Sequence, residues 1–148
     1  MAVKVIDGDL FSTDAKYICH QVNCQGRMGS GVAKIVRSRF PEAFEKYKED
    51  CDKGHAYLGK TQYVLSNGKV IINMFAQDKY GYDGAKYTDE DAFLACLIEI
   101  HSAVPNGSTI AMPYKIGCGL GGGDWGTIYW LIERELGQDY TVELWRLA

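Results

Sequence analysis

The residues best suited to chemistry fall in two glycine-studded segments, Asn23-Cys24-Gln25-Gly26-Arg27-Met28-Gly29-Ser30-Gly31-Val32-Ala33 and Ile116-Gly117-Cys118-Gly119-Leu120-Gly121-Gly122-Gly123. Glycine lets backbone N–H groups approach an anion with no Cβ in the way. Each segment follows an apolar run and leads into a helix-like run, which is the layout of a phosphate cradle. Two such loops predict a diphosphate clamped between them. His20, just ahead of the first loop, titrates in the range useful for acid–base work, although a lone histidine ending an apolar run also reads as a core residue. Asp9 in Asp7-Gly8-Asp9 reads either as a turn residue or as a ligand contact. Arg27 can neutralise a phosphate or stand as a solvated charge. Cys24 and Cys118 sit on the loops, but no neighbour in sequence activates either thiol, so both read as packing residues.

The loops need elements to hold them. Strands are expected at Val3–Ile6 and Tyr17–Val22, the second almost wholly apolar and therefore central. Helices are expected at Gly31–Phe40 and from Pro41 to about Lys53, where Pro41 suits a first turn. Ser66-Asn67-Gly68 marks a hairpin between Thr61–Leu65 and Val70–Phe75. A polar, aromatic stretch, Gln77 to Tyr87, leads to Thr88, which is expected to cap a helix running to about Ala103. The aromatic residues Tyr80, Tyr82 and Tyr87 read as edge packing or as a wall of the ligand site. A buried strand at Thr109–Met112 ends at Pro113 and delivers the second loop. Asp124 is placed to cap a helix over Trp125–Leu136, Gly137 to end it, and Tyr140–Leu147 to close the chain as a strand. The pattern predicts one α/β domain over residues 1–148, a mixed sheet between helical layers with both glycine loops beyond carboxyl ends of strands.

Composition narrows the function classes. The chain has 148 residues, 47% hydrophobic and 24% charged, with a formal net charge of −3. That balance argues against an extended nucleic-acid surface. No apolar run approaches the length of a membrane span, and the N-terminus enters a strand with no signal-peptide layout. Five cysteines without metal-ligand spacing point to a reducing compartment, the cytoplasm, and to no metal. The chain lacks Gly-x-x-x-x-Gly-Lys-Ser/Thr, which excludes a P-loop. The first loop also misses the dinucleotide fingerprint, since Asn23-Cys24-Gln25 stands where its glycines would begin.

Gly8-Asp9-Leu10, His20-Gln21-Val22-Asn23-Cys24-Gln25-Gly26 and Met28-Gly29-Ser30-Gly31-Val32-Ala33 resemble the first half of a macro domain, and Pro113, Ile116-Gly117-Cys118-Gly119-Leu120 and Trp125 resemble its second half. The likeness runs from about Val3 to Leu147. It is nearest to the branch holding the terminal ADP-ribose hydrolase and the yeast ADP-ribose 1″-phosphate phosphatase. The resemblance implies a three-layer α/β/α sandwich with a mixed, mostly parallel sheet. It implies that Asp9 and the Leu10 N–H read adenine. Gly29, Ser30, Gly31 and Val32 would line the diphosphate and distal ribose, Asn23 and Gln25 the ribose hydroxyls. Pro113, Ile116, Gly117, Cys118, Gly119, Leu120 and Gly121 would close the other side. The implied partner is ADP-ribose or an ADP-ribosylated substrate, bound by a monomer without a cofactor. The hydrolase's lysine position holds Gln77, with Lys79 nearby, and its aspartate position holds Gly121, with Asp124 three residues on. Candidate catalytic residues are therefore His20, Asn23 and Asp124. The alternative is an ADP-ribose reader without turnover.

Overall fold

The computed structural model describes residues 1–147, and a six-stranded sheet runs through it. Its strands are β1 (Val3–Asp7), β2 (Tyr17–Val22), β3 (Thr61–Ser66), β4 (Lys69–Phe75), β5 (Thr109–Pro113) and β6 (Thr141–Arg146). They lie in the order β1-β6-β5-β2-β4-β3, with every neighbouring pair parallel except the β3–β4 hairpin. The helices are α1 (Gly31–Arg39), α2 (Pro41–Asp52), α3 (Glu90–Ala103) and α4 (Trp125–Leu136), and a 3-10 turn at Leu10–Ser12 was not foreseen. Asp9 opens that turn by accepting from the Phe11 N–H. The expected α/β/α sandwich with a mixed, mostly parallel sheet is what the chain adopts.

Alternation along the strands makes the two helical layers possible, because neighbouring side chains point to opposite faces. Ile18, Ile71 and Ala111 pack with Val36 of α1, Ala43 of α2 and Phe40 at the junction between the two helices. Cys19, Ile72, Met74, Ile110 and Met112 pack on the other face with Phe93, Leu97 and Ile100 of α3 and Ile128 and Ile132 of α4. With both faces covered, β2, β4 and β5 are nearly continuous apolar runs, as buried parallel strands must be.

β2 and β5 are neighbours at the centre of the sheet. The chain leaves β2 through α1 and α2 toward β3 on one side, and leaves β5 through α4 toward β6 on the other. Connections that diverge from adjacent parallel strands open a crevice at their carboxyl ends, the usual ligand position in open α/β sheets. Both glycine loops start there. One local expectation is corrected: Asp89, not Thr88, caps α3, its carboxylate accepting from the Ala92 N–H. Thr88 is buried and its hydroxyl donates to the Gly117 carbonyl instead, at 2.6 Å.

Candidate functional site

A cavity of about 470 Å³ lies between the loops, within the roughly 300–1,000 Å³ usual for small-molecule sites. The first loop and the start of α1 contribute Asn23, Gly29, Ser30, Gly31 and Val32 to its wall. The second contributes Pro113, Ile116, Gly117, Gly119, Leu120 and Gly121, and His20 also lines it. The structure thus brings together most of the residues singled out from sequence.

Ser30 is the N-cap residue of α1, yet its side chain makes no capping bond. Its hydroxyl pairs with the Tyr82 hydroxyl at 2.5 Å, which draws the aromatic stretch across the first loop. The opening N–H groups of α1 therefore have no side-chain acceptor, and they sit on the cavity wall. Unpaired N–H groups and the positive end of the helix dipole both favour an anion there.

The first loop is held from behind. Asn23 donates to the Arg27 carbonyl, while its Oδ1 accepts from the Gln25 N–H and, at 2.7 Å, from the Tyr47 hydroxyl. Tyr47, buried on α2, also accepts from the Arg27 N–H. Asn23 lines the cavity; loop closure takes up its Oδ1 and one of its two N–H donors. Gln25 turns away from the cavity: it is exposed and donates to both the carbonyl and the carboxylate of Asp78.

The second loop is held from below. Thr88 Oγ1 bonds the Gly117 carbonyl, and the Tyr87 and Thr88 N–H groups both donate to the Gly121 carbonyl. Gly117 has φ +76°, and a Cβ there would stand 2.7 Å from Gln21 Oε1. Such a backbone suits glycine. A Cβ at Gly121 would come within 2.5 Å of Thr88 Oγ1 and 2.7 Å of the Gly117 carbonyl oxygen. As folded, the loop has no room for a carboxylate side chain at that position. Cys118 falls outside the cavity wall; its thiol donates to the Ile116 carbonyl, and burial pushes its pKa up to about 11. Cys24 is likewise raised to about 11, mainly by burial and then by Asp78. Neither thiol is a nucleophile near neutral pH.

Asp124 and Asp9 also lie off the cavity wall. Asp124 caps α4, accepting from the Thr127 N–H and hydroxyl, and these bonds lower its pKa. Asp9 is exposed at the exit of β1, and the following Leu10 is buried under the sheet. Lys79 is exposed and contributes only its carbonyl, accepting from Gln77, whose own Oε1 accepts from Gln21.

His20 is 1% exposed. Its Nε2 lies 2.6 Å from Asn73 Oδ1, and its Nδ1 has no partner among the described residues. Burial lowers its pKa to about 4, so the ring is neutral near pH 7. Gln77, which the resemblance put at the hydrolase's lysine position, lines the wall, while sequence reasoning missed Gln21, Tyr114 and Lys115 there. Lys115 carried no signal, yet its backbone takes φ 59°, a rare conformation for a non-glycine residue that orients the entry to the second loop.

A family model described as Macro domain matches residues 19–129. This chain belongs to the macro domain family. It is similar to the DNA ADP-ribosyl glycohydrolase of Mycobacterium tuberculosis, 35% identical over 123 residues, covering 80% of this chain and 34% of that protein. The chain thus spans about a third of that relative's length. It is similar along nearly all of both chains to an ADP-ribose 1″-phosphate phosphatase of Lodderomyces elongisporus, at 27% identity over 158 residues, covering 96% of this chain and 98% of that one. Among solved structures, the macrodomain of Mycobacterium tuberculosis DarG superposes with a TM-score of 0.77 at 25% identity, covering 96% and 97% of the two chains. In this macro domain the cavity lies where the connections leaving β2 and β5 diverge.

Proposed function

We propose that this macro domain binds ADP-ribose between its two glycine loops and hydrolyses an ADP-ribosyl derivative, either ADP-ribose 1″-phosphate or ADP-ribose linked to protein or nucleobase. The observation that carries the reading is the uncapped start of α1 on one cavity wall, facing the second glycine loop. Gly29, Ser30, Gly31 and Val32 hold the diphosphate from one side, and Gly117, Gly119, Leu120 and Gly121 hold it from the other. Arg27 and Lys115, both on the wall, supply positive charge. Asp9 and the Leu10 N–H read adenine beyond the mouth of the cavity. Asn23 keeps the first loop in shape.

We assign the scissile end to His20, which lines the cavity. Neutral near pH 7, it can take a proton through Nδ1 but has none to give there. For a 1″-phosphate it accepts the proton of the attacking water. The water oxygen bonds to phosphorus, the bond from phosphorus to the ribose oxygen breaks, and the proton taken up on Nδ1 passes to that oxygen, which leaves ADP-ribose, inorganic phosphate and a neutral imidazole. Positioning by the loops supplies the rest of the rate. We read the chain as one domain acting as a monomer, and the unpaired cysteines support a reducing compartment such as the cytoplasm.

One observation favours a reader instead: no carboxylate lines the cavity among the described residues. Phosphate release from ADP-ribose 1″-phosphate separates the two. The proposal expects turnover that His20→Ala lowers by about a hundredfold, the low end of general acid–base effects. Equal rates remove His20 from the chemistry. Inactivity on that substrate and on ADP-ribosylated protein and DNA, with ADP-ribose still bound, makes the protein a reader.

A further inference from the structure

Three polar side chains stand in register across the sheet. His20 of β2 pairs with Asn73 of β4, and Asn73 pairs with Gln62 of β3. All three are buried on the face covered by α1 and α2, beside apolar neighbours such as Ile18, Ile71 and Phe75. The row is joined side chain to side chain: His20 Nε2 to Asn73 Oδ1 at 2.6 Å, Asn73 Nδ2 to Gln62 Oε1 at 3.0 Å, and Gln62 Nε2 to Asp50 Oδ2 at 2.6 Å. Asp50 comes from α2 and is ion-paired with Lys60 at 2.9 Å. That lysine, the main cause, keeps the Asp50 carboxyl below its usual range and therefore ionised.

The direction of every bond in the row is dictated from its outer end. An ionised carboxylate only accepts, so the Gln62 atom facing Asp50 is the NH₂. The Lys46 carbonyl accepts from the same NH₂, which fixes the amide a second time. Gln62 then presents its oxygen to Asn73, which must donate. The Ala43 carbonyl accepts from that Asn73 NH₂ as well. Asn73 is left with only its oxygen toward His20, so the imidazole must carry its proton on Nε2. A neutral ring protonated there has a lone pair on Nδ1, the one buried ring atom without a partner.

We propose that Asp50, Gln62 and Asn73 are positioning residues that set the tautomer of His20, so that its Nδ1 accepts from a hydroxyl donor in the cavity, either a hydroxyl of the distal ribose or a water held by the bound nucleotide. The proposal rests on the cavity being an ADP-ribose site. The row specifies a single tautomer by two backbone carbonyls and one carboxylate, over a span of three strands. Buried polar networks of this kind hold one arrangement because each alternative leaves a donor or acceptor unpaired.

The test reads the ring nitrogens of His20 by NMR in protein labelled with ¹⁵N-histidine, with His20→Gln identifying its signals. In the free protein at neutral pH, Nε2 is expected to carry the proton and Nδ1 to show the shift of a lone-pair nitrogen. Saturating ADP-ribose is expected to move the Nδ1 resonance toward that of a hydrogen-bonded acceptor. If ADP leaves it unmoved, the donor is the distal ribose; if ADP moves it equally, the donor is a held water. Asn73→Leu removes the acceptor that holds the Nε2 proton and is expected to let an Nδ1–H fraction appear in the ring, with ADP-ribose affinity falling about tenfold for one lost hydrogen bond. An Nδ1–H tautomer in the free native protein overturns the inference even if Asn73→Leu fails to fold. So does an Nδ1 resonance that bound ADP-ribose does not move. Failure of the native protein to bind ADP-ribose sinks the ligand reading, and the tautomer in the free protein is still decided separately.

Discussion

The Tyr47 hydroxyl shows how one atom can shape a binding loop without touching its ligand. It donates to Asn23 Oδ1 and accepts from the Arg27 N–H, so α2 grips both ends of the turn that precedes Gly29. Its ring is fully buried between Phe44 and Phe75. Tyr47→Phe keeps that packing and deletes both bonds. Each typical hydrogen bond contributes about 1 kcal/mol, so thermal unfolding of the variant should register a loss of about 1–2 kcal/mol. ADP-ribose affinity should fall with it, because the loop no longer holds its shape. An unchanged affinity would mean that the first loop is set by its own sequence. Nothing adjacent to Tyr47 in the sequence announces this role, because its partners Asn23 and Arg27 lie 24 and 20 residues away in the chain.

At the scale of elements, two histidines respond to pH in opposite senses. His101, near the end of α3, lies 3.2 Å from Glu135 and 2.7 Å from Asp139, tying α3 to the end of α4. Glu135 first, then Asp139, raises its pKa above the usual histidine value. The stability this contributes is complete below about pH 6.5 and fades as pH rises through the raised value. His20 is the reverse, its pKa lowered to about 4 by burial. Its contribution is complete above about pH 6.5 and is lost as pH falls through its folded value. Between about pH 6 and pH 9 the native protein should therefore lose a few tenths to 1 kcal/mol that His101→Gln does not lose, the size of a partly exposed ion pair. Thermal melts of the two proteins across that range check it, and parallel curves would remove the His101 clamp from the stability account. These elements were legible in the sequence to differing depth. The Asn67-Gly68 turn and the Asp124 and Pro41 helix starts were readable because their signals are local. Thr88 was misread as a cap because its hydroxyl serves the second loop, 29 residues away in the chain.

At the scale of the molecule, the sequence placed both glycine loops beyond strand ends, and the topology supplies the reason they meet. β2 and β5 lie side by side, and their connections leave in opposite directions. The row of His20, Asn73 and Gln62 was not legible, because strand register is a property of pairing and not of any one segment. Nor could spacing tell that Gln25 turns outward or that Asp124 is spent on α4. In the proposed binding mode the bare N-terminus of α1 receives the diphosphate of ADP-ribose. Ser30→Asp tests it most directly. Aspartate is as good an N-cap as serine or better, so the variant should fold with undiminished thermal stability while placing a negative charge where the diphosphate is to sit. Calorimetric titration with ADP-ribose should give saturable one-to-one binding to the native protein and a loss of at least about tenfold for Ser30→Asp. No heat from the native protein, or equal affinity for the two, would contradict the account.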